Sequence, residues 1–128
     1  MASEHQRVAS GSPFEATIAF SRAVRAGNRV IVSGTAPVLP DGGCPEGAGP
    51  QARRCFEIIE AALEELGARL RDIVRTRMYI TSTAHAEAVG TVHREMLGDV
   101  RPAATMVVVA GLLDPAWEVE VEAEAVVP

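Results

Sequence analysis

Four glutamates alternate with apolar residues near the carboxyl end of the chain, at Glu118, Glu120, Glu122 and Glu124. Residues two apart in a β-strand lie on one face, about 7 Å from each other, so these carboxylates repel one another unless cations pair with them. One interpretation is a solvated sheet face. The other is that one glutamate points into a cleft, where burial and its neighbours raise its pKa and make it a general base for a water proton.

The cations that could accompany these carboxylates are all arginines, because the sequence contains no lysine. The absence of lysine excludes a Schiff-base nucleophile and the lysine of a phosphate-binding loop. Arg101, which precedes Pro102 and the penultimate predicted strand, has the paired donors that suit a carboxylate. A solvated loop arginine is the alternative interpretation.

No other pattern in the sequence predicts a metal site, a nucleophile or a cofactor site. His5, His85 and His93 are dispersed and lack the spacing of metal ligands. Ser33 follows a β-branched run but lacks the flanking glycine of a nucleophile elbow. We therefore expect no metal, no cofactor and no catalytic triad.

Length and charge narrow the class of protein further. With 128 residues, 48% of them hydrophobic, and a net charge of −5, the chain is typical of one soluble domain over residues 1–128. The acidic balance disfavours nucleic-acid binding, and no apolar run approaches the ~20 residues of a membrane helix. The amino-terminal residues do not form a secretory signal, and Cys44 and Cys55 lack a disulfide framework, so we expect free thiols in a cytoplasmic protein.

The amino-terminal part of the chain is predicted to form an arm and a hairpin. Residues 1–15 are polar and predict an extended arm or a loosely held first strand. Imperfect alternation from Ala16 to Val24 and the β-branched run from Val30 to Gly34 predict two strands, with the turn at Gly27-Asn28 between them.

Helices and strands then alternate along the chain. Apolar residues recur every three or four positions from Gln51 to Leu66 and again from Ala88 to Leu97, which predicts two helices. Thr81 or Thr83 is expected to cap the second helix. A period of two over Ile73–Ile80 predicts a strand between the helices.

Two predicted strands close the chain and complete the fold class. Residues 104–110 are nearly all β-branched or small, which predicts a central strand buried on both faces, and residues 117–126 contain the alternating glutamates. The predicted order ββαβαββ defines an α+β fold, a mixed sheet with two helices on one face. Because these helices leave an apolar sheet face bare, we expect an oligomer; cover by the amino-terminal arm alone is the alternative.

Several motifs of the sequence resemble those of the RidA/YjgF family. The segments 101–112 (RPAATMVVVAGL) and 118–123 (EVEVEA) resemble the carboxyl-terminal signature of that family, and segments 27–34, 51–53 and 72–76 match as well. The resemblance extends from about Phe20 to Val126. It implies a chorismate-mutase-like fold and a homotrimer with small-molecule clefts between its subunits.

The resemblance also implies roles for individual residues. In deaminating members of the family, an arginine holds the substrate carboxylate, and a glutamate of the last strand positions the water that hydrolyses an imine or enamine. Glu120 matches this glutamate, and Ser33 and Gly34 match the segment that lines the cleft. Ala104 stands at the position of the arginine, and Phe20 stands where a tyrosine is usual.

The cleft implied by the resemblance is small and capped by Phe20 and Met106, and the backbone of Ala104 and Thr105 would bond the substrate there. A substrate with a carboxylate should bind poorly without the family arginine, unless Arg101 replaces it. We therefore expect an imine or enamine deaminase with altered specificity, which suits a neutral imine. The alternative is a non-catalytic trimer that binds or senses a small molecule, whereas the acidic charge argues against ribonuclease activity.

Overall fold

The computed structural model describes residues 5–9 and 12–128 of the chain. In this part of the chain, one mixed sheet of six strands carries helices on one face. The strands are β1 (Gln6–Val8), β2 (Ala23–Ala26), β3 (Arg29–Thr35), β4 (Ile73–Ile80), β5 (Ala103–Val108) and β6 (Val119–Val126), and the helices are α1 (Pro13–Ile18), α2 (Ala48–Glu65) and α3 (Ala86–Leu97).

The order of the strands across the sheet is β1-β2-β3-β6-β4-β5, and the β4–β5 pair is parallel. Strands β2 to β6 with α2 and α3 follow the predicted order ββαβαββ, so the predicted α+β class is confirmed. Strand β1 pairs with β2 as the first strand that the arm was predicted to form, and α1 is an addition. Among the described residues, no helix is both long and apolar enough to cross a membrane.

Helix α2 supplies most of the helical side of the core. Cys55, Phe56, Ile59 and Leu63 are fully buried at the spacing of one helical face. The helix begins three residues before the predicted Gln51, and the chain then turns at Gly67, whose φ of +79° suits glycine.

Helix α3 packs beside α2 on the same face of the sheet. The Nε2 atom of its His93 lies 2.8 Å from Oγ1 of Thr76 on β4, and the His93 ring meets the Phe56 ring edge-on, with 5.8 Å between the centroids. The predicted cap at Thr81 or Thr83 was wrong. The side chain of Ser82 accepts a bond from the Ala84 amide, because a 3₁₀ turn over residues 83–85 precedes the helix.

The predicted strand from Ala16 to Val24 was wrong over its first half. Helix α1 extends to Ile18 and starts after Ser12, whose hydroxyl accepts the Phe14 amide. The remainder of the hairpin is confirmed, because β2 and β3 pair across Gly27-Asn28.

Residues 104–110 do not form a central strand that is buried on both faces. Strand β5 lies at the edge of the sheet and ends at Val108, and its residues other than Met106 are exposed in the single chain. The face opposite the helices is also less apolar than predicted. Its middle carries the glutamates of β6, and exposed apolar residues such as Ile31 and Val107 lie to either side.

Candidate functional site

A β-bulge between β3 and β6 brings a glutamate against a glycine. Val32 pairs with Ala123 and Thr35 pairs with Val121, so β3 contains one more residue than β6 over this stretch. The carboxylate of Glu120 then packs directly on Gly34. A Cβ atom added at Gly34 would lie 3.3 Å from Cδ of Glu120 and closer still to Oε1, so only glycine leaves room for this carboxylate.

The next two glutamates of β6 are engaged by side chains of neighbouring strands. The Oε1 atom of Glu122 accepts bonds from Arg77 Nη1 at 3.0 Å and from the Tyr79 hydroxyl at 2.9 Å. Glu124 pairs with Arg29 at 2.8 Å and with Arg75 at 3.6 Å. These two carboxylates therefore act as partly exposed ion-pair partners of arginines.

Glu120 differs from both, because it forms no ion pair or side-chain hydrogen bond within residues 5–9 and 12–128. It is only partly exposed. Burial raises its pKa, the positive charge of Arg22 counteracts part of that rise, and the charge of Glu122 adds to it. A half-buried carboxylate with a raised pKa and free oxygens can accept a proton from water.

Arg22, whose positive charge acts on this carboxylate, is 8% exposed. Its Nη1 donates a hydrogen bond to Oγ1 of Thr35 at 3.2 Å, and its guanidinium carbon lies 5.7 Å from the centre of the Phe20 ring. The Nε atom is buried and has no hydrogen-bond partner among the described residues. Burial lowers the pKa of Arg22 and raises that of the neighbouring thiol of Cys55.

The structure brings together four of the residues singled out in the sequence. Phe20 and Ser33 line an open groove of about 500 Å³, and Gly34 and Glu120 adjoin them at the bulge. The hydroxyl of Ser33 donates to the carbonyl of Ser21 at 2.7 Å, so it is occupied within the chain.

The other four residues lie elsewhere in the single chain. Ala104 pairs with Thr76 while Glu120 pairs with Tyr79, so Ala104 is displaced from Glu120 by about 10 Å along the strands and about 10 Å across them. Thr105 and Met106 belong to the same edge strand. Arg101 precedes this strand, is exposed and has a φ of +51°. The two groups of residues are therefore not brought together within one chain.

Arg22, Thr35 and Tyr79 were not identified as site residues in the sequence. Alternation over the predicted strand placed Arg22 on the same face as Phe20, and that was the one available signal. The bond from Arg22 to Thr35 crosses the bulge, for which Gly34 inside the β-branched run was the available signal. Tyr79 reaches the site only through its register opposite Glu120.

A larger open groove of about 860 Å³ lies on the helical side, between α2, α3 and the loop before α2. Leu39, Pro50, Arg54 and Ala88 are among its lining residues. None of the residues singled out in the sequence lines it. Nowhere in the described part of the chain are three His, Cys, Asp or Glu side chains grouped as metal ligands. We therefore regard the surroundings of Glu120 as the candidate site.

The fold agrees with what known proteins show. A model of the endoribonuclease L-PSP family matches residues 11–127, and the chain belongs to that family. Its resemblance to RidA/YjgF proteins is thereby confirmed. The crystal structure of Rv2704 from Mycobacterium tuberculosis, a member of the YjgF/YER057c/UK114 family, superposes with a TM-score of 0.89 at 41% identity. The match covers 97% of this chain and 100% of that one.

Two curated relatives extend the comparison. An uncharacterised protein of Streptomyces coelicolor is 40% identical over 121 residues, covering 94% of this chain and 90% of the relative. The 2-iminobutanoate/2-iminopropanoate deaminase of Escherichia coli K12 is 33% identical over 115 residues, covering 84% of each chain. One of these relatives is therefore named as a deaminase of 2-iminobutanoate and 2-iminopropanoate.

Proposed function

We propose that this protein hydrolyses a small imine or enamine and that Glu120 is the general base. One observation carries the proposal: the carboxylate of Glu120 is half-buried against Gly34 and has no ion-pair partner among the described residues. The name of the Escherichia coli relative supports imines as the substrate class.

The reaction follows from a carboxylate beside a water molecule. Glu120 accepts a proton from water while the water oxygen adds to the imine carbon, and the nitrogen takes up a proton. Collapse of this adduct breaks the C–N bond, releases ammonia and leaves a carbonyl group. Imine and water thus give a ketone or aldehyde and ammonia, and an enamine enters the same sequence after protonation at carbon.

We further propose that a homotrimer completes the site, with β5 of one chain lying across the bulge of another. The separation of Ala104 from Glu120 within one chain supports this arrangement. The exposed edge strand and the exposed apolar side chains Ile31 and Val107 support it as well. Light scattering should give about three times the 13.5 kDa of one chain, and a monomer mass would contradict the proposal.

The proposed substrate is a neutral imine, because the resemblance implies a carboxylate-binding arginine at the position where this chain has Ala104. An Ala104→Arg variant tests this preference. It should gain activity toward 2-imino acids, and an unchanged preference would contradict the explanation. The same residue favours the second candidate function, a trimer that binds small molecules without catalysis, since Ala104 offers only its backbone.

Hydrolysis is tested with imines that an amine oxidase or amino-acid oxidase generates in the assay, in competition with a nucleophile that traps unhydrolysed imine. We expect the wild-type protein to accelerate carbonyl release and Glu120→Gln to lose about 100- to 10,000-fold of that acceleration. Glu124→Gln is the matched control, because Glu124 lies on the same face of β6 but is paired with arginines.

Equal rates for wild-type protein and Glu120→Gln would remove Glu120 as the base. No acceleration with any imine, together with saturable binding of the same compounds or their carbonyl products, would favour the non-catalytic function.

A further inference from the structure

The glutamates of β6 on the bare face of the sheet differ in whether an arginine contacts them. Glu122 and Glu124 each contact at least one arginine within 3.0 Å. Arg22 is hydrogen-bonded to Thr35, the residue next to Gly34, on which the Glu120 carboxylate packs. Its positive charge lowers the pKa of Glu120, but the two side chains form no ion pair within 4 Å. Glu120 thus has a cation near it and none in contact with it.

Arg22 is fixed by other groups instead of by the carboxylate. Thr35, itself fully buried, accepts from Nη1 of Arg22, and the Phe20 ring lies against the guanidinium. The Nε atom remains buried without a partner among the described residues. Thr35 and Phe20 thus hold the guanidinium in place without an ion pair to the Glu120 carboxylate.

We propose that Arg22 is a positioning residue for Glu120, held out of contact by Thr35 and Phe20 so that it keeps the carboxylate ionised and leaves both oxygens free. A direct ion pair would also keep Glu120 ionised, but it would occupy the lone pairs that must accept a proton from water. A charge at slightly longer range stabilises the same ionised form without occupying them. The inference rests on the proposed role of Glu120 as base.

Other charged groups near Arg22 and Glu120 also affect the ionisation of these two side chains. Glu122 opposes ionisation of Glu120, and Tyr79 lies opposite Glu120 on β4 with its hydroxyl bonded to Glu122. Glu15 and Cys55 interact electrostatically with Arg22. Arg22 is the cation in this set, so its removal should raise the pKa of Glu120 further.

The experiment follows the carboxyl carbon of Glu120 by NMR through a pH titration, with the resonance assigned by its loss in Glu120→Gln. Arg22→Gln should shift the midpoint upward, and Arg22→Lys should restore much of the wild-type midpoint because it keeps the charge. Arg75→Gln is the matched control, because Arg75 pairs with Glu124 on the same face. It should shift the midpoint less than Arg22→Gln does.

A midpoint in Arg22→Gln equal to that of wild type would overturn the inference. A lower melting temperature with an unchanged midpoint would mean that Arg22 is structural only, which would also overturn it. A measurement on the wild-type protein covers the case in which the Arg22 variants do not fold. The Nε resonance of Arg22 should then shift with the midpoint of Glu120, and this inflection should be absent in Glu120→Gln; a flat Arg22 resonance would refute the coupling.

These readouts need no substrate, so they separate the two proposals. A coupled titration in a protein that hydrolyses no imine would remove the proposed activity and leave the electrostatic role of Arg22. Activity that depends on Glu120 but has the same pH profile in Arg22→Gln would remove the role of Arg22 and leave the activity.

Discussion

Replacing Gly34 by alanine adds one methyl group under the carboxylate of Glu120. The new Cβ would lie 3.3 Å from Cδ of Glu120 and deep inside the contact distance of Oε1, so the carboxylate must move by about 1 Å. The backbone of Gly34 lies outside the left-handed region, so alanine fits it without strain. Since the obstructing atom is the end of a flexible side chain, we expect the fold to persist.

A displacement of about 1 Å in a catalytic geometry costs about 100-fold in rate. We therefore expect Gly34→Ala to lose imine hydrolysis by about that factor, with little change in the cooperative unfolding seen by circular dichroism. Gly49→Ala is the matched control, because its added Cβ meets only Cβ of Ala88 at an ordinary 3.7 Å, far from Glu120. Wild-type turnover in Gly34→Ala would refute the packing argument, and so would a loss of activity that merely follows unfolding.

Three further predictions concern stability and pH. The raised pKa of Glu120 means that its charged form destabilises the fold, so Glu120→Gln should have a higher melting temperature than wild type at pH 8. The difference in melting temperature should close as pH falls through that pKa, and a constant difference would contradict this prediction. Burial lowers the pKa of His93, so its contribution to stability is present above the unfolded value of about 6.5 and is lost as pH falls. In urea titrations, His93→Gln, which can still bond Thr76, should therefore lose less stability on acidification than the control His85→Gln, which keeps His93. Phe56→Ala should cost about 3–5 kcal/mol of unfolding free energy in denaturant titrations, because the ring is fully buried, and a cost below 1 kcal/mol would mean that the core is packed differently.

Periodicity predicted the elements that bury one regular face. The predicted bounds Ile73–Ile80 are those of β4, and the helical spacing after Gln51 identifies α2. The period of two holds from Thr76 to Ile80. It fails at the start of the strand, where Ile73 is buried and Val74 is exposed, because the pairing with β6 shifts register there. Helix α1 was missed because weak alternation after Ala16 outweighed the start signals Ser12 and Pro13. A short segment satisfies both patterns when few of its residues are buried.

Strand β5 shows the limit of the argument from apolar runs. A run that is apolar on both faces indicates burial in the functional assembly, and the sequence does not tell whether the same chain or another one provides the cover. Within one chain, Val107 and Val108 are exposed at the sheet edge. The prediction of a central strand was therefore wrong, and the predicted partner for the bare face stays a prediction.

The candidate site depended on information that alternation lacks. Glu120, Glu122 and Glu124 are equivalent in the pattern, and only the resemblance singled out Glu120. Their differences arise from strand register, which gives Glu122 and Glu124 arginine partners from β3 and β4 and gives Glu120 a glycine at a bulge. Register is set by pairing between residues distant in sequence, so no local window contains it.

Because Cys55 is buried, the labelling rate of its thiol measures local opening of the fold. Its thiol is fully buried and burial raises its pKa, so the folded chain holds it as an unreactive thiol, whereas Cys44 is partly exposed. Labelling with a thiol reagent should therefore be biphasic, with one equivalent consumed quickly and the second only as fast as α2 separates from the sheet. The slow phase measures how often the region beneath Glu120 opens, in a protein that carries no added probe.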